Sequence, residues 1–274
     1  MPELPEVETV RRDLSPVYLR HTLRRLEVTG RRTVRRHPPE LLAALEGRSL
    51  ADIGRHGKYL LFEWDDGTTL VAHLRMSGQL LAGTAGAARA PHTHAVFDFG
   101  AAGELHFVDP RTFGELFLAT SAPDQARLVE LAHLGPDALG AQAAYLRSAL
   151  AGRRAPIKVL LVDQRVLAGI GNIYADEICF TAGIRPDRPG GSLRPRELAR
   201  LAASVQAVLG AAIEARGSTL GDQQYRDAYG RLGGYQLAHR VYGRRDLPCL
   251  SCGSLVQRVG LGAKSAFWCP KCQR

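Results

Sequence analysis

Lysine is nearly absent from this chain. Only Lys58, Lys158, Lys264 and Lys271 stand among its 36 basic residues, and the rest are arginine. A composition that drifts towards arginine, as a GC-rich coding sequence would, makes each retained lysine a candidate for chemistry that an ammonium does better. Acidic residues are too few to balance the basic ones, so the net charge is +9. That excess favours a polyanionic partner, nucleic acid before anionic membrane. No stretch approaches the roughly 18 consecutive apolar residues of a membrane span. The first residues carry Glu3, Glu6 and Glu8, the wrong charge for a secretory signal. A cytoplasmic protein with no membrane partner is expected. Its 274 residues and 45% hydrophobic content suggest two domains with room for a small third module.

Cysteine is also scarce, yet four of the five are patterned. Cys249 and Cys252 form one C-x2-C, and Cys269 and Cys272 form another sixteen residues later. Each pair brings two thiolates to one face of a tight turn, and the spacer is long enough for a β-hairpin that folds one pair onto the other. Four thiolates suit a tetrahedral Zn²⁺ with a closed coordination shell, so one structural zinc is expected and no organic cofactor. A disulfide pair is disfavoured in a reducing compartment. Cys179, between Ile178 and Phe180, reads as a core thiol.

The start of the chain carries the most pointed chemistry. Initiator methionine is commonly removed ahead of proline, which would leave Pro2 with a free secondary amine. An α-amino group titrates near pH ~7.7–8.0, far below lysine at ~10.4, so a usable neutral fraction exists at physiological pH. Attack by a secondary amine on an aldehyde carbon gives an iminium that is cationic without a proton, and so an electron sink. Glu3 beside it could shuttle protons.

Along the chain, Val7, Val10 and Leu14 recur with helical spacing, predicting a helix over 5–14. Pro5 suits its first turn, and Glu6 and Glu8 suit its positive end. From about 20 to 120 short alternating runs such as Tyr59-Leu60-Leu61-Phe62 and His94-Ala95-Val96-Phe97 predict a β-sandwich, with a mobile loop over 83–88. After Pro123 the pattern turns helical: 124–133, 141–151, 156–163, 173–181 and 195–215. Gly169-Ile170-Gly171-Asn172 interrupts two of these helices, and amides at such a turn can hold a phosphate. Residues 217–235 read as a flexible loop ahead of the zinc module. The expected class is α+β, with domains over 1–123, 124–235 and 236–274.

Six segments together are similar to the bacterial formamidopyrimidine-DNA glycosylase family, relatives of endonuclease VIII. They are Met1-Pro2-Glu3-Leu4-Pro5-Glu6-Val7-Glu8, Gly57-Lys58-Tyr59-Leu60, His73-Leu74-Arg75-Met76-Ser77-Gly78, Asp109-Pro110-Arg111-Thr112-Phe113-Gly114, Gly169-Ile170-Gly171-Asn172-Ile173-Tyr174-Ala175-Asp176-Glu177, and the ribbon ending Cys269-Pro270-Lys271-Cys272-Gln273. The resemblance runs essentially end to end. It implies an N-terminal β-sandwich with a leading helix, a helix–two-turns–helix domain with a lesion-recognition loop near 217–235, and a C-terminal β-hairpin zinc ribbon. Duplex DNA bearing oxidised purines, chiefly 8-oxoguanine and formamidopyrimidines, would lie in the cleft between the lobes. The enzyme would act as a monomer in the bacterial cytoplasm, on the nucleoid.

By the same resemblance Pro2 is the nucleophile at sugar C1′, Glu3 handles protons as the sugar ring opens, and Lys58 is a proton donor or phosphate contact during β-elimination. Met76, Arg111 and Phe113 would fill the gap left by a flipped nucleotide. His73, His92, Arg154, Lys158 and Asn172 would meet phosphates. Two positions depart from the family pattern. Thr112 stands where many members have a second arginine. Lys264 stands where the ribbon usually carries an arginine tied to δ-elimination, and it keeps the charge but loses the bidentate fork. The alternatives are an endonuclease VIII-like enzyme for oxidised pyrimidines and a non-catalytic damaged-DNA-binding zinc protein. Leu4, Met76 and the Arg111/Phe113 pair argue against the first, and intact Pro2, Glu3 and Lys58 against the second.

Overall fold

The computed structural model describes residues 1–120 and 128–274. The chain divides into two compact units, Met1–His133 with Ala215–Gly234, and Leu134–Glu214 with Tyr235–Arg274.

The first unit opens with α1, Leu4–Tyr18. Its start is set by Glu3 and Glu6, which form a reciprocal capping box, with Pro5 in the first turn. The helix runs past the expected 5–14 because Leu14 and Tyr18 are both fully buried on its apolar face. The strands are β1 (Arg25–Val28), β2 (Leu50–His56), β3 (Tyr59–Trp64), β4 (Thr69–His73), β5 (Gln79–Gly83), β6 (Thr93–Asp98), β7 (Glu104–Val108) and β8 (Glu115–Ala119). They form two four-stranded sheets, ordered β1-β6-β7-β5 and β2-β3-β4-β8, antiparallel throughout. Val7, Val10 and Leu14 of α1 share one core with Leu60, Phe62 and Leu70 of one sheet and Phe97, Leu105 and Phe107 of the other. Glu8, on the same helix, would be raised by burial. Arg11, Arg55 and Arg12 overcome that and hold it down to about 2, tying α1 to β2 through Arg55.

The composition of 217–235 predicts a loop in the helical domain. The segment 215–234 groups with the first unit instead. Tyr225 and Ala228 enter its core, and Ala82 of β5 donates its N–H to the carbonyl of Ala228 at 2.8 Å. Two apolar anchors and one ladder-type bond thus help to attach a stretch that has no periodicity of its own.

The second unit holds α2 (Ala143–Leu150), α3 (Ile157–Val162), α4 (Asn172–Thr181), α5 (Pro195–Glu214) and the hairpin β9 (Gln257–Leu261) and β10 (Lys264–Trp268). All four expected helices from 141 to 215 form, each within a few residues of its expected ends. The one expected over 124–133 starts outside the described residues, and its described end is a short 3-10 turn, Val129–Leu131. In α5 the apolar stripe Leu198, Leu201, Val205, Leu209 and Ile213 is buried. Cys179 is fully buried on α4, and burial pushes its thiol well above the usual range, as a core thiol requires. No helix among the described residues is long and apolar enough to cross a membrane.

Candidate active site and nucleic-acid interface

At the start of the first unit, Met1 is half exposed while Pro2 is buried and Glu3 is 3% exposed. The backbone N–H of Glu3 donates to Glu6 Oε2 at 2.8 Å. Glu6 Oε1 accepts the N–H of Ser218 at 2.7 Å. One carboxylate therefore fastens both the start of the chain and the 215–234 segment. Gly217, at φ +78°, allows that approach, since a Cβ there would fall 2.7 Å from Glu6 Oε1.

Lys58 sits in the two-residue connection between β2 and β3. Gly57 takes φ +57°, which is what a II′-type hairpin asks of its first central residue. Lys58 is 6% exposed. Strand register then builds the rest of this end of the sheet: Tyr59 pairs with His73, and His73 pairs with Glu115. His73 accepts the N–H of Arg75 on Nδ1 at 3.0 Å, so its proton rides on Nε2. Burial first, then the charges of Arg75, Lys58 and Arg36, push its pKa down to about 3. It is a neutral donor in a cationic surrounding, the form that can give a hydrogen bond to a phosphate without titrating. Glu115 receives Arg36 at 3.1 Å and Arg75 at 3.8 Å.

The remaining sequence-selected residues of this unit lie on two loops braced by one buried acid. Asp109, 1% exposed, accepts from Ser77 Oγ at 2.5 Å, from the Arg111 N–H at 3.3 Å and from the Gly114 N–H at 2.6 Å. The loops so fixed present Met76 and Phe113 to solvent, 40% and 39% exposed. The Arg111 guanidinium lies 4.8 Å from the centre of the Phe113 ring. Two exposed apolar side chains on braced loops are not core residues. Thr112 adopts φ +53°, and its carbonyl accepts from Arg35 at 3.0 Å, so a guanidinium reaches this loop from elsewhere in the chain. His92 is exposed at φ +66°, and its carbonyl accepts the N–H of Asp109 at 3.0 Å.

In the second unit Asn172 is exposed at the first turn of α4. Gln164 shapes the glycine turn ahead of it, accepting from Gly169 N–H at 2.9 Å and donating to the Ile170 carbonyl at 2.8 Å. Arg154 is exposed. Lys158 lies elsewhere than the family resemblance implies. It is 1% exposed, 2.7 Å from Asp176 Oδ1, and donates to the Ser265 carbonyl at 2.5 Å. An ammonium so enclosed has no face left for a phosphate, and its role in this arrangement is to neutralise Asp176. Burial pushes that carboxyl up to about 7 against the pull of Lys158. Asp176 Oδ2 also accepts the Phe267 N–H at 3.1 Å, and Glu177 accepts the N–H groups of Arg240, Val241 and Tyr242. Two consecutive acids on α4 thus hold the chain entering the cysteine module and the strand β10 within it.

The four cysteines converge. Their sulfurs all lie within 4.8 Å of one another, with Cys249 and Cys272 at 3.9 Å and Cys252 and Cys269 at 3.4 Å. A tetrahedral zinc with Zn–S near 2.3 Å separates its sulfurs by about 3.8 Å, so the set fits one structural Zn²⁺. On the hairpin, Lys264 is exposed and lines a 450 Å³ hollow with Arg245 and Arg258.

Known proteins give the same arrangement. The formamidopyrimidine-DNA glycosylase N-terminal domain profile matches residues 1–116, the H2TH domain profile of the same enzymes matches 134–224, and the zinc finger found in FPG and IleRS matches 246–274. A formamidopyrimidine-DNA glycosylase of Chloroflexus aggregans is 44% identical over 276 residues, covering 100% of this chain and 98% of that protein. The chain belongs to the formamidopyrimidine-DNA glycosylase family. Solved Lactococcus lactis structures agree. A mutant of the glycosylase with Fapy-dG-containing DNA superposes with TM-score 0.87 at 31% identity, covering 100% of both chains. A complex with abasic-site DNA gives 0.86 at 32% identity over 99% of both. The formamidopyrimidine-DNA glycosylase family is one of base-excision-repair enzymes, and this member is a DNA glycosylase with abasic-site lyase activity.

Sequence reasoning missed several residues that organise this glycosylase's site. Glu6 and Asp109 were inside recognised motifs, but nothing in their spacing marked them as braces. Asp176 and Glu177 read as one face of an ordinary helix. Asp13, Arg216 and Asp227 carry no local signal, since they are more than 200 residues apart in part and meet only after folding.

Proposed function

We propose that this enzyme excises oxidised purines, 8-oxoguanine and formamidopyrimidines, from duplex DNA and cleaves the strand by β- and then δ-elimination through a Schiff base on Pro2. The carrying observation is the N-terminus. Met1 is a single exposed residue ahead of a buried Pro2, which a capping box holds at the start of α1. With Met1 removed, the Pro2 amine attacks sugar C1′ as the C1′–N bond to the base breaks, and the proton the amine sheds neutralises the departing base. Glu3 delivers a proton to the ring oxygen as the C1′–O4′ bond opens, leaving the iminium. The iminium acidifies the C2′ hydrogens. Loss of one expels the 3′ phosphate, further elimination expels the 5′ phosphate, and water releases Pro2.

Other residues support the same reading. Met76 and Phe113, exposed on loops braced by Asp109, suit a wedge that replaces lost stacking, and Arg111 suits the orphaned cytosine. His73, His92, Arg154 and Asn172 suit phosphates, and Lys58 suits proton transfer or phosphate contact during β-elimination. Lys264 on an exposed hairpin suits the later elimination. The purine assignment follows the relatives' name, and the protein is expected to work as a monomer on bacterial nucleoid DNA. Borohydride should trap a covalent adduct on an 8-oxoguanine duplex, mapped by peptide sequencing to Pro2. An adduct on Lys58, or full activity with Met1 retained, defeats the assignment.

A further inference from the structure

We propose that Arg216, clamped between Asp13 and Asp227, is a positioning residue for base excision: it holds the 215–234 segment against α1, with Ser218 seated on Glu6, as a wall for the base. The proposal rests on the functional reading above and deepens it.

Arg216 lies just past the end of α5 at φ +61°, a left-handed conformation common where helices end. Its side chain is held by two carboxylates. Arg216 Nε and Nη2 donate to Asp227 Oδ2 at 2.8 and 2.5 Å, and Nη2 also donates to Asp13 Oδ2 at 2.5 Å. Asp13 belongs to α1 and Asp227 to the far limb of the segment, with side chains 7% and 1% exposed. The guanidinium therefore closes the segment on itself and onto the helix at once.

Backbone bonds complete the clasp. Asp227 Oδ1 accepts the N–H groups of Tyr229 and Arg231, both at 2.9 Å. Asp13 Oδ2 accepts the Ala228 N–H at 3.3 Å, and Tyr229 Oη donates to the Asp13 carbonyl at 3.2 Å. Buried Tyr225 donates to the Arg216 carbonyl at 3.1 Å. Two residues on from Arg216, the Ser218 N–H reaches Glu6 Oε1, and Glu6 Oε2 holds the Glu3 N–H. Without Arg216, two buried carboxylates would share one site uncompensated, and the low-cost response is for the segment to lift away. Lifting removes a wall of the site but leaves the capping box of α1, and so the Pro2 amine, in place. An intact nucleotide carries a base that must be seated against a wall, whereas an abasic sugar carries none. The clasp should therefore matter for base release and much less for strand scission at a preformed abasic site.

The test uses the full-length, zinc-loaded protein and Arg216→Gly, because glycine adopts φ +61° without strain, beside Arg216→Asn, which tolerates the same conformation without glycine's added backbone freedom. Amide exchange is followed over 216–231, and single-turnover rates are measured on an 8-oxoguanine duplex and on a duplex with a preformed abasic site. Exchange in the segment should speed up by about tenfold or more. Base release should slow about tenfold, equivalent to ~1.4 kcal/mol in barrier, while abasic-site scission stays within about twofold. Asp13→Asn removes one arm without touching the backbone, and should shift both readouts in the same direction by less. Unchanged exchange, or equal slowing on both duplexes, overturns the clasp. A wild-type protein inert on both duplexes instead sinks the glycosylase reading, and the exchange data still decide whether the clamp holds the segment.

Discussion

Pro2 and Glu3 lead into a helix whose apolar face meets a core of two sheets, whereas the four cysteines sit on a hairpin whose buried cluster is Val241, Val256, Cys249 and Cys269. The first unit holds its N-terminal end with hydrogen bonds to carboxylates. The cysteine module cannot bury enough apolar surface for that, so its fold depends on four thiolates and a cation. The contrast extends to the buried acids. Asp13 and Glu6 in the first unit hold the 215–234 segment to α1 and Asp109 braces the Met76 and Phe113 loops, while Asp176 and Glu177 in the second anchor the metal module to α4.

The widest break between the two regions should come from the metal. Removing zinc, or Cys252→Ser, should unfold the hairpin, because binding of a structural zinc supplies about 10 kcal/mol or more. DNA affinity should fall at least ~100-fold, about 2.7 kcal/mol, while protease resistance of the first unit is retained. Metal analysis with gel-shift titration and limited proteolysis reads both. Full affinity in the zinc-free variant would show that the ribbon is dispensable.

Next in size is Lys158→Met, which strands Asp176. Removing one partner of a buried pair costs ~3–5 kcal/mol when the other stays charged. With its carboxyl already pushed up to about 7, Asp176 takes a proton easily, so the loss should be large at pH 8 and shrink at pH 6. Urea unfolding at the two pH values checks this. An equal loss at both would mean that the pair acts through packing alone.

A smaller effect separates the units by pH. His73 has its pKa lowered from 6.5 to about 3 by burial. Below pH 6.5 the unfolded chain binds a proton that the folded chain refuses, so stability should fall as pH drops from 6.5 towards 3. At pH 5 this amounts to about 2 kcal/mol, from ~1.4 per pH unit. His73→Asn keeps an acceptor for the Arg75 N–H and cannot titrate, so its acid limb should be flatter. Identical acid limbs in the two proteins would place the sensitivity elsewhere.

Smallest is the change at Lys264. Lys264→Ala should weaken DNA binding on the order of fivefold, as loss of one phosphate contact would, and shift products from β,δ- towards β-elimination. Lys264→Arg should leave base release nearly unchanged. A gel that resolves the two product ends decides, and an unaltered ratio with unaltered affinity makes Lys264 a solvated surface residue.

Helices, strands and the cysteine quartet were legible because each is a local pattern. Apolar spacing in 195–215 predicts α5 directly, and the two C-x2-C pairs need only a hairpin to meet. Pro2, Glu3 and Lys58 stand out in the sequence because such residues are unusual there: a proline one residue from the start, an acid beside it, and a lysine in an arginine-rich chain. What the sequence by itself determined is therefore the inventory of elements and the cysteine quartet. Only the tertiary structure decided which charges face solvent and which are enclosed. It put Lys158 beside Asp176 instead of on a phosphate, and gave the 215–234 segment to the first unit through Tyr225 and Ala228. It also brought Asp13 to Arg216 across the length of the chain. The reason is physical. A helix or turn is specified by near neighbours along the chain, but the partner of a buried charge is set by whichever distant group the packed core carries to within 3 Å.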